Sequence, residues 1–324
     1  MRGIATSMVM VAGLGLWGCS GGDDGTDSAA SESASTTAGE TTGTSGSESE
    51  TGSGSETGSG SETDTGGEAM KGLPEGVSTW TGKGEIASLS FGFDVTITNS
   101  GGDLKATAKI KEDPDVPLGL GSPEMSMSGT HEPSAGRVAL APNVWIVPPD
   151  LNIELIGFEA VYDPASKTLT GDLIDFAKGT ENYLEGGPMT LTLVEGAGEA
   201  TGLGDAARSL TVGSQKFGGT LQCTGDVRET VAELTYDGKG GLTGSITLGD
   251  PGLDAPIGAF SITGVHNPST GGITLVPGLW IDDQGEVLTF YTDGTYDPGT
   301  GAFNGDLWTN TAACPTGTWK TTLQ

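Results

Sequence analysis

Apolar and polar positions alternate through most of the chain beyond residue 78. Every second residue from 91 to 97 is apolar, and similar alternation marks 104–110, 189–193, 242–248 and 319–323. A period of two places successive side chains on opposite faces of a strand. One face then packs against a core while the other is solvated, which is typical of antiparallel sheets.

A repeated motif divides this β-rich region into two copies. Residues 129–146 return as 264–281, and nine of these 18 positions are identical. The offset of about 135 residues is too long for a solenoid unit and fits a tandem domain. We predict two domains and a linker between them, over residues 79–195, 208–324 and 196–207.

Each copy contains about eight short apolar runs separated by turn sequences. Clusters such as 99–102 and 237–241 supply glycines for positive φ. Eight strands in meander order can close into a barrel without edges. The opening segment 79–82 and closing segment 317–323 resemble the layout of calycin and avidin barrels. We therefore predict an all-β fold of two tandem antiparallel meander domains, and we favour barrels over the alternative of open two-sheet sandwiches.

The first 19 residues have the pattern of a bacterial lipoprotein signal. Arg2 precedes an uncharged, mostly apolar run over 4–16, which is too short to span about 30 Å of hydrocarbon. Leu16, Gly18 and Cys19 match the motif that surrounds the acylated cysteine. We predict residues 1–18 as a cleaved signal peptide and Cys19 as the site of lipid attachment, including palmitate. An ordinary secretory signal is the alternative.

Residues 19–78 are predicted to be a disordered acidic linker. From residue 20 to 78 the chain has no aromatic residue, and 12 acids stand against Lys71 alone. Such a tract cannot bury enough apolar surface to offset its conformational entropy. The lipoprotein signal, the Ser/Thr/Gly/Glu tract and the β-rich region together resemble myxobacterial surface lipoproteins. This resemblance concerns layout and implies no activity. By resemblance to lipoprotein sorting, Ser20 after the cysteine implies an outer-membrane anchor, with the domains facing the cell surface or the periplasm.

The remaining cysteines predict a disulfide in the second copy. The chain has three cysteines, and Cys19 is assigned to lipid. Outside the cytosol, Cys223 and Cys314 are expected to pair. In a closed meander the bond would join the first and last strands, and two free buried thiols are the alternative. No Cys-x-x-Cys pair supports a zinc ribbon.

The charge of the chain restricts its partners. The net charge is −29, of which residues 79–324 carry −19. Nucleic acid and anionic lipid headgroups are therefore poor partners. A solvated acidic surface is the simplest interpretation. Divalent cations at Asp113 and Asp115, or at Asp282 and Asp283, are the alternative, and we predict no metal site and no cofactor.

Two residue types recur at equivalent positions and are the candidate ligand-lining residues. His131 and His266 are the only histidines, and each is followed by Pro-Ser two residues later. A hydrolase would need a serine and an acid to converge on such a ring, and a structural role in the turn is favoured. Trp145 and Trp280 either line a ligand cavity or fill the core. No catalytic residue is predicted.

These features predict a lipid-anchored envelope protein with a non-catalytic binding or adhesion role. Its expected partners are the membrane, through the N-terminal lipid, and an unidentified protein, glycan or small ligand. One alternative is a structural envelope or interaction protein without a small-molecule site, and another is a secreted hydrolase. A binding module predicts a pocket around Trp145 or Trp280, whereas a hydrolase predicts histidine, serine and acid in one cleft.

Overall fold

A computed structural model describes residues 70–324 apart from seven internal segments: 87–88, 113–117, 151–152, 176–185, 253–255, 284–288 and 310–313. The predicted signal peptide, Cys19 and most of the predicted linker lie outside the described residues, as do Asp113 and Asp115. All the named regular elements are β-strands. Nothing in the described part forms a helix with the length and hydropathy needed to cross a membrane.

Eight antiparallel strands close into a first barrel, barrel 1. Consecutive strands pair in order, and β1 pairs with β8 to complete the ring. The strands are β1 Gly76–Ile86, β2 Leu89–Ser100, β3 Asp103–Lys111, β4 Glu124–Glu132, β5 Arg137–Val147, β6 Ile156–Asp163, β7 Thr168–Asp175 and β8 Gly186–Gly196.

The second copy forms barrel 2 with the same topology, closed by pairing of β9 with β16. Its strands are β9 Gly213–Cys223, β10 Asp226–Tyr236, β11 Gly241–Gly249, β12 Pro256–His266, β13 Gly272–Asp283, β14 Tyr291–Asp297, β15 Ala302–Trp308 and β16 Thr316–Leu323. The predicted all-β fold of two tandem meander barrels is confirmed, and the sandwich alternative is wrong.

Alternation along the strands fills the interior of each barrel. In β2, buried positions alternate with more exposed ones from 91 to 100. Inward residues from all eight strands form one continuous apolar cluster in each barrel. The largest members are Trp80 and Trp319, each 1% exposed. Each indole N–H has a hydroxyl partner inside, Ser78 at 2.9 Å and Thr230 at 2.8 Å respectively.

The two ends of each barrel differ in their connections. At one end, which we call the turn end, tight turns such as 101–102 and 133–136 join the strands. At the opposite end, the loop end, most connections are longer, as between β3 and β4 (112–123) and between β5 and β6 (148–155). Long connections on a rigid scaffold are where binding residues are most often found.

The barrels contact each other through reciprocal pairs of residues at their turn ends. The Asn267 amide donates a hydrogen bond to the His131 carbonyl oxygen at 2.8 Å, and it packs closely against Gly102 of barrel 1. Its counterpart in the duplication, Glu132, packs equally closely against Gly240 of barrel 2. This exchange of equivalent contacts indicates an approximate two-fold arrangement of the two barrels.

Contacts farther along the barrels show that both point in the same direction. Two residues in from the turn end of their strands, the hydroxyl groups of Thr130 and Thr274 form a hydrogen bond at 2.8 Å. Towards the loop end, the N–H of Gly157 donates to the Tyr291 hydroxyl at 3.2 Å. Turn-end residues thus meet turn-end residues, and loop-end residues meet loop-end residues. Both loop ends therefore lie on the same side of the molecule.

In each barrel, the strand pairing is short where the barrel faces its neighbour. β5 pairs with β6 only over 137–140, and β13 pairs with β14 only over 272–275. Pro142 and Pro277 follow, next to register shifts against β4 and β12, and bulges of this kind tolerate proline. A third apolar cluster drawn from both barrels covers this region: Ala141, Ile174, Val276, Tyr291 and Trp308.

The segment that precedes β1 is packed, which corrects the predicted boundary of the linker. The sequence predicts residues 19–78 as disordered, yet β1 begins at Gly76 and Leu73 is 1% exposed. The N–H of Thr201, from the predicted linker 196–207, donates to the Leu73 carbonyl oxygen at 2.8 Å. The prediction is wrong for 71–78. The composition of the whole tract is polar, so it gives no indication that Leu73 is buried and bonded to His131 and Thr201.

Candidate functional site

Each repeated histidine holds the chain segment that enters its barrel. The rings of His131 and His266 are fully buried at the turn end. Nε2 of His131 accepts a hydrogen bond from the Leu73 N–H at 2.9 Å, and Nε2 of His266 accepts one from the Leu210 N–H at 3.1 Å. Nδ1 of each ring lies 3.0 to 3.1 Å from a backbone carbonyl oxygen. The proton is therefore assigned to Nδ1 in both rings.

This bonding leaves neither histidine free to act as a general base. Both ring nitrogens of His131 and His266 are engaged by backbone groups, so no nitrogen remains to accept a proton from a serine hydroxyl. Burial lowers the pKa of each imidazole to about 4, and both rings are neutral at pH 7. The geometry fits a structural role in the turn, and it lacks the convergence that a hydrolase requires.

Sequence reasoning missed the partners of the histidines. Leu73 and Leu210 precede their histidines by 58 and 56 residues. Each follows a basic residue by two positions, Lys71 or Arg208, whose N–H donates to the proline carbonyl oxygen of the histidine turn. The signal was present as a repeated basic-x-Leu pattern at an almost constant distance before the repeated histidine.

Trp145 and Trp280 lie in the loop-end halves of their barrels. Both rings are half-buried and pack against the core of their own barrel, and the Trp280 ring lies edge-on to Phe260 with centroids 5.5 Å apart. Neither ring lines either of the two cavities identified in the described part of the chain. A ligand-lining role for these tryptophans therefore stays a prediction.

The larger of these two cavities lies between the barrels. It has a volume of about 240 Å³ and is lined by outer residues of β2 to β4 and of β13 and β14. Its lining includes the hydroxyl groups of Ser128 and Thr295, and the Asp293 carboxylate lies in its wall. A neighbouring cavity of about 230 Å³ shares Asp293 and extends to Asp306.

Asp293 lies at the contact between the barrels and accepts hydrogen bonds from a residue of each. Burial raises its pKa to about 6, against the effect of hydrogen bonds from Thr274 and Ser128. The Thr274 hydroxyl donates at 2.7 Å. The duplication places Thr263 at the position of Ser128 and Glu159 at the position of Asp293. The Thr263 hydroxyl donates a hydrogen bond to the Glu159 carboxylate at 2.6 Å. Within the described residues no three His, Cys, Asp or Glu side chains are grouped to hold a metal ion.

The predicted disulfide is confirmed. Cys223 is bonded to Cys314, with their Cα atoms 5.4 Å apart. Cys223 ends β9 and stands opposite Gly317 of β16. The bond therefore joins the two strands that close barrel 2.

An apolar surface continues from the barrel contact towards the loop end. On the outward faces of β5 and β13, Ala141 and Val276 are fully buried. Beyond Pro142, the Asn143 side chain accepts a hydrogen bond from the Ser128 hydroxyl at 3.3 Å. The outward apolar side chains that follow on both strands are about half or more exposed. We call these four residues the loop-end surface: Val144 and Ile146 at 50%, Leu279 at 54% and Ile281 at 64%.

Comparisons with known proteins assign no family. No protein-family model matches the chain, and a search of curated proteins gave no match.

Proposed function

We propose that this protein is a lipid-anchored envelope protein that binds a partner, without catalysis, through the loop end of its two barrels. One observation carries the proposal. The duplicated Trp-Ile motif, 145–146 and 280–281, presents exposed apolar side chains at the same end of both barrels. A duplicated surface of this kind is uncommon on a soluble body unless it contacts something.

The point at which the chain enters barrel 1 supports this assignment. Leu73 lies at the turn end beside His131, so a tether that starts at an acylated Cys19 reaches the body there. The loop end is at the opposite end of barrel 1 from this entry point. Surfaces held away from a membrane by a long spacer are available to partners outside the cell envelope.

The filled interiors support an external binding surface over an internal one. Both barrels are packed by apolar clusters from all eight strands, unlike barrels that hold one small ligand inside. This favours binding on the outer surface, as in the interaction-protein alternative. The engaged nitrogens of His131 and His266 argue against the hydrolase alternative.

The anchor is tested by mass spectrometry of the native protein. The mature chain is expected to begin at Cys19, to carry added acyl mass and to fractionate with membranes. A Cys19→Ser variant is expected to lose the acyl mass and to leave the membrane fraction. A first residue elsewhere, or a parent chain without acyl mass, would contradict the anchor.

The binding surface is tested on a glycan array and a peptide library. Three forms of the full chain are compared: the parent, an Ile146→Ser/Ile281→Ser variant, and a control with Val77→Ser/Val194→Ser. Val77 and Val194 are 61% and 64% exposed but lie at the turn end. Ligands of the parent should bind the first variant at least tenfold more weakly and the control unchanged. Ligands that respond equally to both variants, or no ligand in either format, would contradict the proposal.

A further inference from the structure

We propose that the loop-end surface docks one polypeptide segment of a partner protein, a segment with apolar side chains flanked by lysine or arginine. This inference rests on the proposed function and specifies the partner that the surface fits. It follows from three properties of the surface: its continuity with the barrel contact, its position across both barrels, and its charge.

The loop-end surface is an extension of packing that already exists between the barrels. Ala141 and Val276 belong to one buried cluster shared by both barrels. Three residues beyond each of them, Val144 and Leu279 point outward on the same strand faces and are half exposed. An apolar segment placed there would extend the shared cluster and remove these side chains from water.

The position of the surface indicates one occupant and not two. β5 and β13 approach each other at Ala141 and Val276, and both continue in the loop-end direction. Their outer halves, up to Val147 and Asp283, pair within the described residues with β4 and β12 alone. The exposed side chains of the two strands therefore flank the boundary between the barrels. A single segment can contact both strands at that boundary.

The surroundings of the surface select a cationic partner. Asp150 lies three residues beyond Val147, and Asp282 follows Ile281. Glu124 stands between Val147 and Lys109 in the strand register. The body as a whole is acidic, because residues 79–324 carry a net charge of −19. Basic residues that flank an apolar segment are attracted to such a rim, and this attraction weakens with salt.

The same charges disfavour the other occupants. A second copy of this chain would bring two acidic bodies together. The protein's own tract over 20–69 has no aromatic residue and no Ile, Leu or Val, and it is acidic. An anionic lipid surface would also be repelled. A basic, apolar segment of another protein is the occupant that remains.

A random 12-residue peptide library displayed on phage tests this inference. The bait is the full chain carrying Cys19→Ser, which keeps it free of lipid, and the Ile146→Ser/Ile281→Ser form is used for counter-selection. Synthetic versions of the enriched peptides are then titrated by fluorescence polarisation and by calorimetry. Circular dichroism confirms that each variant is folded.

The expected result is an enriched pool that is net positive and contains at least three apolar residues per peptide. These peptides should bind with one per chain. Affinity should fall at least tenfold with Ile146→Ser/Ile281→Ser and at least threefold between 20 and 300 mM salt. It should be unchanged by Val77→Ser/Val194→Ser, as expected for a surface confined to the loop end.

Several outcomes would overturn the inference, and they can be told apart from failure of the proposed function. An acidic or purely polar pool, a stoichiometry of two, or equal binding to the loop-end variant would each reject the docking segment. Self-association of the parent that is lost in the loop-end variant would assign the surface to a second copy. Glycan ligands that depend on Ile146 and Ile281, without any peptide ligand, would reject the segment and leave the binding role intact. Absence of every ligand would reject both.

Discussion

The two barrels have similar interiors and differ where they meet. Both hold their entering segment by the same histidine bond, and both close with the same strand order. At the shared cluster, barrel 1 has the smaller residue at each equivalent position: Ala141 against Val276, Gly157 against Tyr291, and Ile174 against Trp308. A contact between duplicated domains therefore becomes specific by complementary size at equivalent positions.

Tyr291 shows how this complementarity works. A Cβ on Gly157 would lie 2.4 Å from the Tyr291 ring, so the glycine leaves the space that the ring occupies. The hydroxyl donates to the Ile174 carbonyl oxygen and accepts the Gly157 N–H. If two copies of barrel 2 met in this way, two tyrosine rings would compete for the same space. If two copies of barrel 1 met, two glycines would leave that space unfilled. The contact thus favours one barrel of each kind.

The disulfide is the difference with the largest expected effect. Replacing Cys223 and Cys314 by alanine makes barrel 2 resemble barrel 1, which has no cross-link. Since the two cysteines are 91 residues apart, the chain-entropy model gives a loss of about 4–5 kcal/mol. In scanning calorimetry of the parent we expect barrel 1 to unfold first. In the variant the transition of barrel 2 should fall by more than about 10 °C.

A chemical control separates the bond from the substitutions. Reduction of the parent by dithiothreitol should lower the same transition by a similar amount, and it should not affect the variant. If barrel 2 keeps its transition temperature without the bond, the difference in stability between the barrels must come from their packing.

Acid is expected to destabilise both barrels through the histidines. The folded pKa of about 4 for His131 and His266 lies below the unfolded value of about 6.5. The unfolded state therefore binds more protons, and stability is lost as pH falls from about 6.5 to 4. Asp293 acts in the opposite sense, because its folded pKa of about 6 lies above the unfolded 3.8. The net loss at pH 4.5 relative to pH 7.5 is about 3 kcal/mol.

Three variants separate these contributions in urea unfolding at the two pH values. His131→Gln and His266→Gln should each reduce the loss by about 2–3 kcal/mol, since each removes one buried imidazole. Asp293→Asn should increase the loss by about 2 kcal/mol, because the compensating carboxylate is gone. Equal pH dependence in all four proteins would show that other groups control the response to acid.

Features that depend on one strand or one pair of cysteines could be predicted from the sequence. The period of two along β2 fixed which face of that strand is buried, and the number of cysteines left after Cys19 indicated the pairing of Cys223 with Cys314. Both inferences need only local geometry or simple counting. The barrel followed from eight such strands in sequence order.

Features that depend on the contact between the barrels could not be predicted. In the sequence, Ala141 and Val276 resemble ordinary core residues of a strand. In the structure their side chains point outward, and they are buried because the other barrel covers them. The environment of Asp293 depends on Ser128, which lies in the other barrel. The bonds from Leu73 and Leu210 to the histidines lie within single barrels and join segments more than 50 residues apart. Their sequence signal is the repeated basic-x-Leu pattern, which hydropathy and composition do not reveal.

Gly157 tests the size complementarity with a smaller expected effect. Gly157→Ala places a methyl group 2.4 Å from the Tyr291 ring and 2.9 Å from the Leu140 carbonyl oxygen. Overpacking of this kind costs about 1–3 kcal/mol, measured as the change in the free energy of unfolding. Gly249→Ala is the matched control, because nothing lies within 4 Å of a Cβ there, and its effect should be below about 0.5 kcal/mol.

A double-mutant cycle assigns the cost of this overpacking to the contact between the barrels. When Tyr291 is alanine, Gly157→Ala should cost at least about 1 kcal/mol less than in the parent, because residues in contact are not additive. Additive effects would place the strain within barrel 1, at Leu140.

The smallest expected effect comes from the ion pair between the barrels. Arg137 Nη2 lies 2.9 Å from Asp237 Oδ2, and both side chains are about 40% exposed. The position equivalent to Arg137 in barrel 2 is Gly272, so this pair has no counterpart. Exposed pairs contribute about 0–1 kcal/mol, and Arg137→Gln should lower the free energy of unfolding by no more than that. Lys111→Gln is the control, because it breaks a similarly exposed pair with Asp94 whose two members both belong to barrel 1. Its effect should be of the same size. A loss above about 2 kcal/mol for Arg137→Gln alone would mean that charge, and not the complementary sizes at Gly157 and Tyr291, holds the barrels together.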